Sequence, residues 1–228
     1  MLLEIIKLSS QTKQITKSTN NQMNIIIHPS YFPSISHFVA IAKADLVTFE
    51  IDDNFQKQTN RNRMYIYSPN GIQLLNIPIK HSKDAHQKTK DVKLETAFDW
   101  QKQHFKSLEA AYRTSPFFEY FEDDILPIYQ KKHTFLMDLN YQTMEIVSKC
   151  LGLDFDYNET TEYFHDVQDK TDLRQLINGK KDASVFEPYT QVFGEKHGYI
   201  NNLSILDLLF NEGRHALDYL NKQTINSL

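Results

Sequence analysis

The sequence predicts a mixed α/β fold in which a strand–helix–strand unit and a β-hairpin precede a mostly helical C-terminal half. Three observations predict it. Short β-rich apolar runs occupy residues 24–79, an Asn-Gly pair separates two of them, and apolar residues recur at helical spacing from residue 98 onward. With 228 residues and a single cysteine, the chain is long enough to bury a core that does not depend on an internal disulfide.

The first unit spans residues 24–51. Residues 24–27 form an apolar run that ends at His28 and Pro29, which is typical of a buried strand followed by a turn. Residues 34–43 predict a helix with Ser34 at its N-cap. Residues 46–51 predict a second strand. Two strands joined by a helix are usually parallel, so the unit predicts a parallel pair.

A β-hairpin is predicted next. Residues 63–67 and 72–79 are β-rich and flank Asn70-Gly71, the dipeptide that favours a tight hairpin turn. Pro78 cannot donate to a ladder and is expected at an edge or at a strand end. Residues 91–94 predict one more short strand.

The remaining chain is mostly helical. Four helices are predicted, at 98–112, from Ser115-Pro116 onward, at 135–151 with Gly152 as its stop, and at 203–211 with a further turn beyond Gly213. Three smaller predictions are a loop at 154–170, a short helix from Thr171 to Gly179, and a strand at 189–193.

Composition limits the organisation and the class of function. Residues 1–22 are rich in Ser, Thr, Gln, Asn and Lys and are interpreted as a disordered tail or an extension upstream of the true start, which leaves 23–228 as one α/β domain. A net charge of −4 does not favour nucleic-acid binding. No apolar run approaches the length of a membrane span, and no glycine-rich, nucleophile-elbow or zinc motif occurs. No membrane insertion, cofactor or metal is therefore predicted.

The first candidate site residues follow the two parallel strands. Open α/β sheets bind ligands at the carboxyl ends of their strands, where His28 would act as acid, base or phosphate contact. Asp52 and Asp53 end the second strand and suit a ribose or a metal. The alternatives are a histidine that only hydrogen-bonds backbone and a solvated acidic turn.

A dense polar segment, residues 56–63, lies just before the hairpin. Arg61 and Arg63 flank Asn62, and arginine suits a bidentate grip on phosphate or carboxylate. An exposed polar loop is the alternative interpretation.

Two further candidates lie on apolar helices. His104 follows Trp100 by one turn, and a histidine on such a face is more often a satisfied core residue than a catalyst. Asp207 and Asn211 lie one turn apart among leucines. A buried carboxylate needs a partner, such as a helix end or Arg174.

Several blocks of the sequence resemble the WbqC-like protein family over about residues 23–221. The form of residues 56–63 resembles a Bacteroidetes-type branch. Tyr31, Asn62, Tyr112, Tyr189, Gln191 and Asn211 lie in or beside these blocks and are candidate substrate-binding residues. The matching blocks are 28–33, 42–45, 61–63, 70–79, 100–104, 111–112, 115–120, 189–193 and 202–213.

The resemblance implies a bacterial cytoplasmic protein of cell-surface polysaccharide or O-antigen synthesis. On that basis the expected substrate is a small molecule, a nucleotide-linked sugar, and the expected reaction is acyl or aminoacyl transfer to an amino sugar. His28 or His104 would move the proton, with Asp52 or Asp207 orienting it. A fainter likeness is to nucleotidylyltransferase half-sheets.

The other hypothesis is a non-catalytic binding module that supports a glycan-assembly complex. The aromatic segment 117–121 would be its face. The sequence does not choose between the two hypotheses and gives no oligomeric state.

Overall fold

The computed structural model describes residues 22–82 and 86–225. The predicted tail therefore lies outside the described residues except for residue 22. The strands are β1 (Asn24–Ile27), β2 (Leu46–Phe49), β3 (Arg63–Ser68), β4 (Gly71–Asn76), β5 (Tyr157–Glu159) and β6 (Thr171–Asp172). The α-helices are α1 (Ile35–Lys43), α2 (Trp100–Tyr112), α3 (Phe118–Gln130), α4 (Leu136–Leu151), α5 (Gly194–His197), α6 (Ile205–Glu212) and α7 (Ala216–Lys222).

The predicted α/β fold is confirmed. β1 and β2 pair in parallel, from Asn24 opposite Leu46 to Ile27 opposite Phe49, and α1 connects them. Three consecutive isoleucines make β1 buried along nearly its whole length, as expected for the centre of a parallel sheet. Ser34 is the N-cap residue of α1, but its hydroxyl hydrogen-bonds Ser36 and His37 and caps no backbone N–H.

The parallel sheet has the strand order β5-β2-β1-β6. From β1 the chain moves to β2 on one side, and β6 later pairs with the other side of β1. The strand order therefore reverses between β1 and β6. Open α/β sheets bind ligands in the crevice beyond the carboxyl ends of the strands at such a reversal.

The hairpin is also confirmed. β3 and β4 pair antiparallel around a turn in which Ser68 lies opposite Gly71. Gly71 has a φ of +96°, which a residue with a Cβ rarely adopts. β4 ends at Asn76, before Pro78, because proline cannot donate to the ladder.

The helical half packs around α6. Every side chain from Ile205 to Phe210 is buried, and α6 contacts α1, α3, α4, α7 and β3. Gly213 ends α6 where a Cβ would lie only 2.6 Å from the Phe117 ring. No helix among residues 22–82 and 86–225 is long and apolar enough to cross a membrane.

Two predictions around the sheet were wrong. Residues 154–170 contain β5, which pairs in parallel with β2. The side chains of β5 are all exposed, so no apolar alternation marks it. Thr171 belongs to β6 and does not cap a helix; a 3-10 helix follows at Arg174–Ile177.

Three further boundaries differ from the prediction. Residues 189–193 form no strand, because Tyr189 and Gln191 bond to α6 and to a neighbouring loop. α3 starts at Phe118, since the Ser115 hydroxyl donates to the Tyr112 carbonyl of the preceding helix. Residues 91–94 form isolated bridges and part of a 3-10 turn.

Candidate functional site

A cavity of about 710 Å³ lies at the carboxyl ends of β1, β2 and β6, next to the reversal of strand order. We call it the sheet-edge cavity. Polar and charged side chains dominate its wall. Residues at or after the ends of β1, β2 and β6 supply most of it, and Lys88 and two residues that follow β5 complete it. The wall includes His28, Asp52, Asp53, Lys88, Tyr163, His165, Asp172, Arg174, Gln175, Asn178 and Lys181.

His28, the first residue after β1, is held by two hydrogen bonds. Its Nε2 lies 3.1 Å from Arg61 Nη2, and its Nδ1 lies 3.3 Å from the Glu50 carbonyl oxygen. A guanidinium only donates, so Nε2 accepts and Nδ1 carries the proton. Burial lowers the pKa of His28 well below its ordinary value, and the charge of Arg61 lowers it further. His28 is therefore a neutral imidazole at pH 7.

Arg61 and Asp53 form an ion pair behind His28. Arg61 is fully buried, and its Nη2 also contacts Asp53. Nη1 donates to Thr59 Oγ1 at 3.1 Å, and Thr89 Oγ1 donates to Asp53 at 2.7 Å. A buried pair with these extra hydrogen bonds fixes the orientation of the histidine.

A second arginine cluster forms the other wall. Arg174 follows β6, and its Nη2 lies 2.6 Å from Asp172, while Nη1 lies 3.4 Å from the fully buried Glu50. Nη1 and Nη2 also donate to the carbonyl oxygens of Phe164 and His165, at 2.7 and 2.9 Å. Arg174 therefore anchors the segment beside the cavity. The Asp172 hydrogen bond raises the pKa of Arg174, which stays charged.

The cavity rim carries two lysines. Lys88 lies 3.3 Å from Asp52, which also pairs with Lys90 at 2.5 Å. Lys181 is exposed and forms no ion pair with any residue in the described part of the chain. Among those residues, no three His, Cys, Asp or Glu side chains converge to hold a metal ion. The wall thus offers cations, hydrogen-bond donors and one neutral imidazole to a ligand.

The structure brings five other predicted site residues together elsewhere. Asp207 is fully buried and accepts hydrogen bonds from the Tyr112 hydroxyl at 2.8 Å, the Tyr189 hydroxyl at 2.5 Å and Gln191 Nε2 at 2.9 Å. Asn211 donates to the Asp207 carbonyl oxygen. We call these residues the Asp207 cluster. Its partners are tyrosines and an amide, whereas the expected Arg174 binds Asp172 and Glu50.

Tyr31 and His104 meet in the core. The Tyr31 hydroxyl lies 3.0 Å from both His104 Nδ1 and the Tyr129 hydroxyl, and the Trp100 ring packs against both residues. Burial lowers the pKa of His104 to about 4. His104 is therefore a neutral histidine in the core, and it does not border the sheet-edge cavity.

Asn62 and Arg63 lie at the start of the hairpin. Asn62 donates to the Ile77 carbonyl oxygen, and Arg63 Nε donates to Asn76 Oδ1 at 3.1 Å. Of the predicted site residues, His28, Asp52 and Asp53 border the sheet-edge cavity, and Arg61 lies directly behind His28.

Glu50, Asp172, Arg174 and Lys181 were missed from the sequence. Asp172 is the last residue of β6, and Arg174 and Lys181 follow that strand. Because Thr171 was predicted to cap a helix, the proximity of these three residues to His28 had no sequence signal. Glu50 lies inside the predicted second strand, and its position next to the acidic pair was the available signal.

Comparison with known proteins gives a family and a homologue. The family model described as "WbqC-like protein family" matches residues 28–185. A Mycobacterium tuberculosis protein named "Uncharacterized protein Rv1507c" is 28% identical over 225 residues, which is 86% of this chain and 96% of that protein. No solved structure matches significantly. The match spans well over half of the sequence and confirms the resemblance: the chain belongs to the WbqC-like protein family.

Proposed function

We propose that the protein is an enzyme that binds a phosphate-bearing small molecule, a nucleotide-linked sugar of cell-surface polysaccharide synthesis, in the sheet-edge cavity. One observation carries the proposal. A cavity of about 710 Å³ with a mostly polar wall lies at the carboxyl ends of β1, β2 and β6, beside the reversal of strand order. That is the position where open α/β sheets bind nucleotides and related ligands.

The charges of the wall support a phosphate-bearing ligand. Lys181 pairs with no carboxylate among residues 22–82 and 86–225, and Lys88 lies at the same rim. Arg174 is more constrained, since its nitrogens bond to Asp172 and to two carbonyl oxygens. Lys181 is therefore the side chain that gains most from an incoming phosphate, because no carboxylate in the described part of the chain competes for its charge.

His28 is proposed as the acid–base group. In acyl or aminoacyl transfer to an amino sugar, the amine nitrogen attacks the acyl carbon of the acyl donor and a base removes the amine proton. The bond between the acyl carbon and its carrier then breaks, and the carrier group leaves with the electron pair of that bond and takes up a proton. A neutral imidazole has the protonation state for that step. If a hydrogen bond from the substrate amine replaced the one from Arg61, His28 Nε2 would accept the amine proton. Arg61 and Asp53 are then positioning residues, and Asp52 orients the lysines at the rim.

The test is thermal unfolding of the full chain with separate panels of sugar nucleotides, free nucleotides and acyl donors. A ligand at about 100 times its Kd adds about 2.7 kcal/mol of stability. For a chain of this size we expect a midpoint increase of roughly 5–10 °C. An increase with nucleotide-bearing ligands supports the proposal. No increase with any phosphate-bearing ligand contradicts it.

A binding module is the second candidate, and one surface favours it. Tyr120 is 75% exposed beside a depression of about 600 Å³ whose wall includes Phe117, Phe121 and Cys150. Large exposed aromatic side chains beside a depression mark partner sites. Burial raises the pKa of Cys150 to about 11, so its thiol is not reactive there. A Tyr120→Ser variant that loses a partner in affinity capture, together with no turnover by the wild type, would favour this candidate.

A further inference from the structure

A second, smaller cavity of about 310 Å³ lies across a shared wall from the sheet-edge cavity. The wall is the segment 177–182, which turns so that its residues divide between the two cavities. Ile177, Asn178 and Lys181 border the sheet-edge cavity, whereas Gly179, Lys180 and Asp182 border the smaller one. Adjacent lysines therefore serve different cavities.

Asn60 presents an unpartnered amide to the smaller cavity. Its backbone is fixed, because its N–H donates to the Ile177 carbonyl oxygen at 2.8 Å. Asn60 is only 7% exposed, yet its side chain hydrogen-bonds no residue in the described ranges. A Cβ added at Gly179 would lie 3.4 Å from Asn60 Nδ2, so the glycine lets the backbone approach this amide closely. Because this amide borders the cavity and hydrogen-bonds no described group, a ligand or water in the cavity would complete its hydrogen bonds.

Two cations border the same space. Arg63 Nε donates to Asn76 Oδ1 at 3.1 Å, but its two terminal nitrogens have no partner among residues 22–82 and 86–225. Lys180 is exposed, and its ammonium group likewise pairs with no described carboxylate. Guanidinium, ammonium and amide groups that converge on one space favour an oxyanion.

The carboxylate of this cavity is already satisfied. Asp182 accepts from Ser36 Oγ at 2.5 Å, from Asn202 Nδ2 at 2.6 Å and from the Ser184 N–H at 3.0 Å. It therefore has no need of Arg63 or Lys180 as partners, and both cations stay available to a ligand. Its charge limits how much negative charge the cavity accepts.

We propose that the smaller cavity is a second ligand site, in which Arg63, Lys180 and the Asn60 amide bind the oxyanion of a small molecule, a carboxylate or a phosphate group. This inference stands apart from the proposed function, because none of the three residues borders the sheet-edge cavity. If both sites bind, the two ligands would lie on opposite sides of the 177–182 segment.

The test is a nitrogen-15 NMR titration of the full chain with inorganic phosphate and, separately, with sodium acetate. We expect saturable shifts of the Asn60 side-chain amide and of the Gly179 and Lys180 backbone amides with at least one of the two anions. Shifts with phosphate alone assign a phosphate group, and shifts with acetate alone assign a carboxylate. Shifts with both support an oxyanion site that admits either.

The variants Lys180→Gln and Arg63→Gln should each weaken this binding at least roughly tenfold, since each removes a charge-assisted hydrogen bond. Lys181→Gln is the matched control, because the adjacent lysine faces the other cavity. Lys180 is exposed, so its replacement leaves folding intact. The inference is overturned if those amides do not shift with either anion, or if Lys180→Gln and Lys181→Gln weaken the binding equally.

Discussion

The sheet-edge cavity and the Asp207 cluster are both built around buried acidic groups, but only one of them has room for a ligand. Asp53 and Glu50 are paired with arginines beside a space of about 710 Å³. Asp207 is enclosed by Tyr112, Tyr189 and Gln191 and borders neither of the two ligand cavities proposed above. Burial and hydrogen bonding alone therefore do not identify a site.

His28 and His104 repeat this contrast. Burial lowers the pKa of both, and each is fixed by a buried polar partner. His28 follows a central strand and borders the cavity, whereas His104 lies between Trp100 and Tyr31. The position of a histidine at a strand end, and not its shifted pKa, distinguishes the proposed catalytic residue.

The largest expected effect is on turnover. His28→Asn should lower kcat about 10²–10⁴-fold once a substrate is found, because it removes the proposed acid–base group. His104→Gln should leave kcat of the folded protein within a few fold, since the amide can replace the ring as a partner of Tyr31. Steady-state kinetics of the two variants, with folding checked by circular dichroism, tests this. Equal losses of kcat in the two variants would contradict the distinction between His28 and His104.

The Asp207 cluster should respond in stability instead. Asp207→Ala leaves the hydroxyls of Tyr112 and Tyr189 buried without an acceptor, whereas Gln191 Nε2 keeps the Ile200 carbonyl oxygen. We expect a loss of about 3–5 kcal/mol in the free energy of unfolding. Asp207→Asn retains an acceptor oxygen and should lose less. Urea unfolding measures both. A loss in the alanine variant below about 1 kcal/mol would mean that the cluster is not structural.

Acidification should destabilise the protein through its buried histidines. The folded pKa of His104 is about 4, below the ordinary 6.5, so the unfolded chain binds the proton first as the pH falls. Stability is unaffected above pH 6.5 and is lost between pH 6.5 and about 4, by about 3 kcal/mol at most for this residue. The urea midpoint should fall more between pH 7.5 and pH 5 for the wild type than for His104→Gln. Equal decreases in the two proteins would contradict the role given to His104.

Much of the fold could be predicted from the sequence, because its signals are local. The three isoleucines of β1, the helical spacing of 34–43 and the Asn70-Gly71 turn each depend on neighbouring residues only. β5 and β6 could not be predicted in this way. They are three and two residues long, and their pairing with β2 and β1 is set by tertiary contacts.

The site residues that could be predicted from the sequence are those that follow a correctly predicted strand. His28 and Asp52 follow predicted strands, and the structure places both at the cavity. Arg174 and Lys181 follow β6, so missing that strand removed them from the site. Within the Asp207 cluster, Asp207 and Asn211 were predicted as polar residues in apolar surroundings, a pattern that buried structural networks and active sites share. Tyr112, Tyr189 and Gln191 were predicted from the family resemblance alone.

The most direct test of the sheet-edge cavity is the Kd of a nucleotide-bearing ligand, measured by calorimetry for the wild type and for two lysine variants. Lys181→Gln removes the cavity cation that no described carboxylate neutralises, and Lys106→Gln removes another exposed charge, on α2. We expect Lys181→Gln to weaken binding roughly tenfold and Lys106→Gln to leave it unchanged. Equal affinities for all three proteins would contradict the placement of the ligand in this cavity.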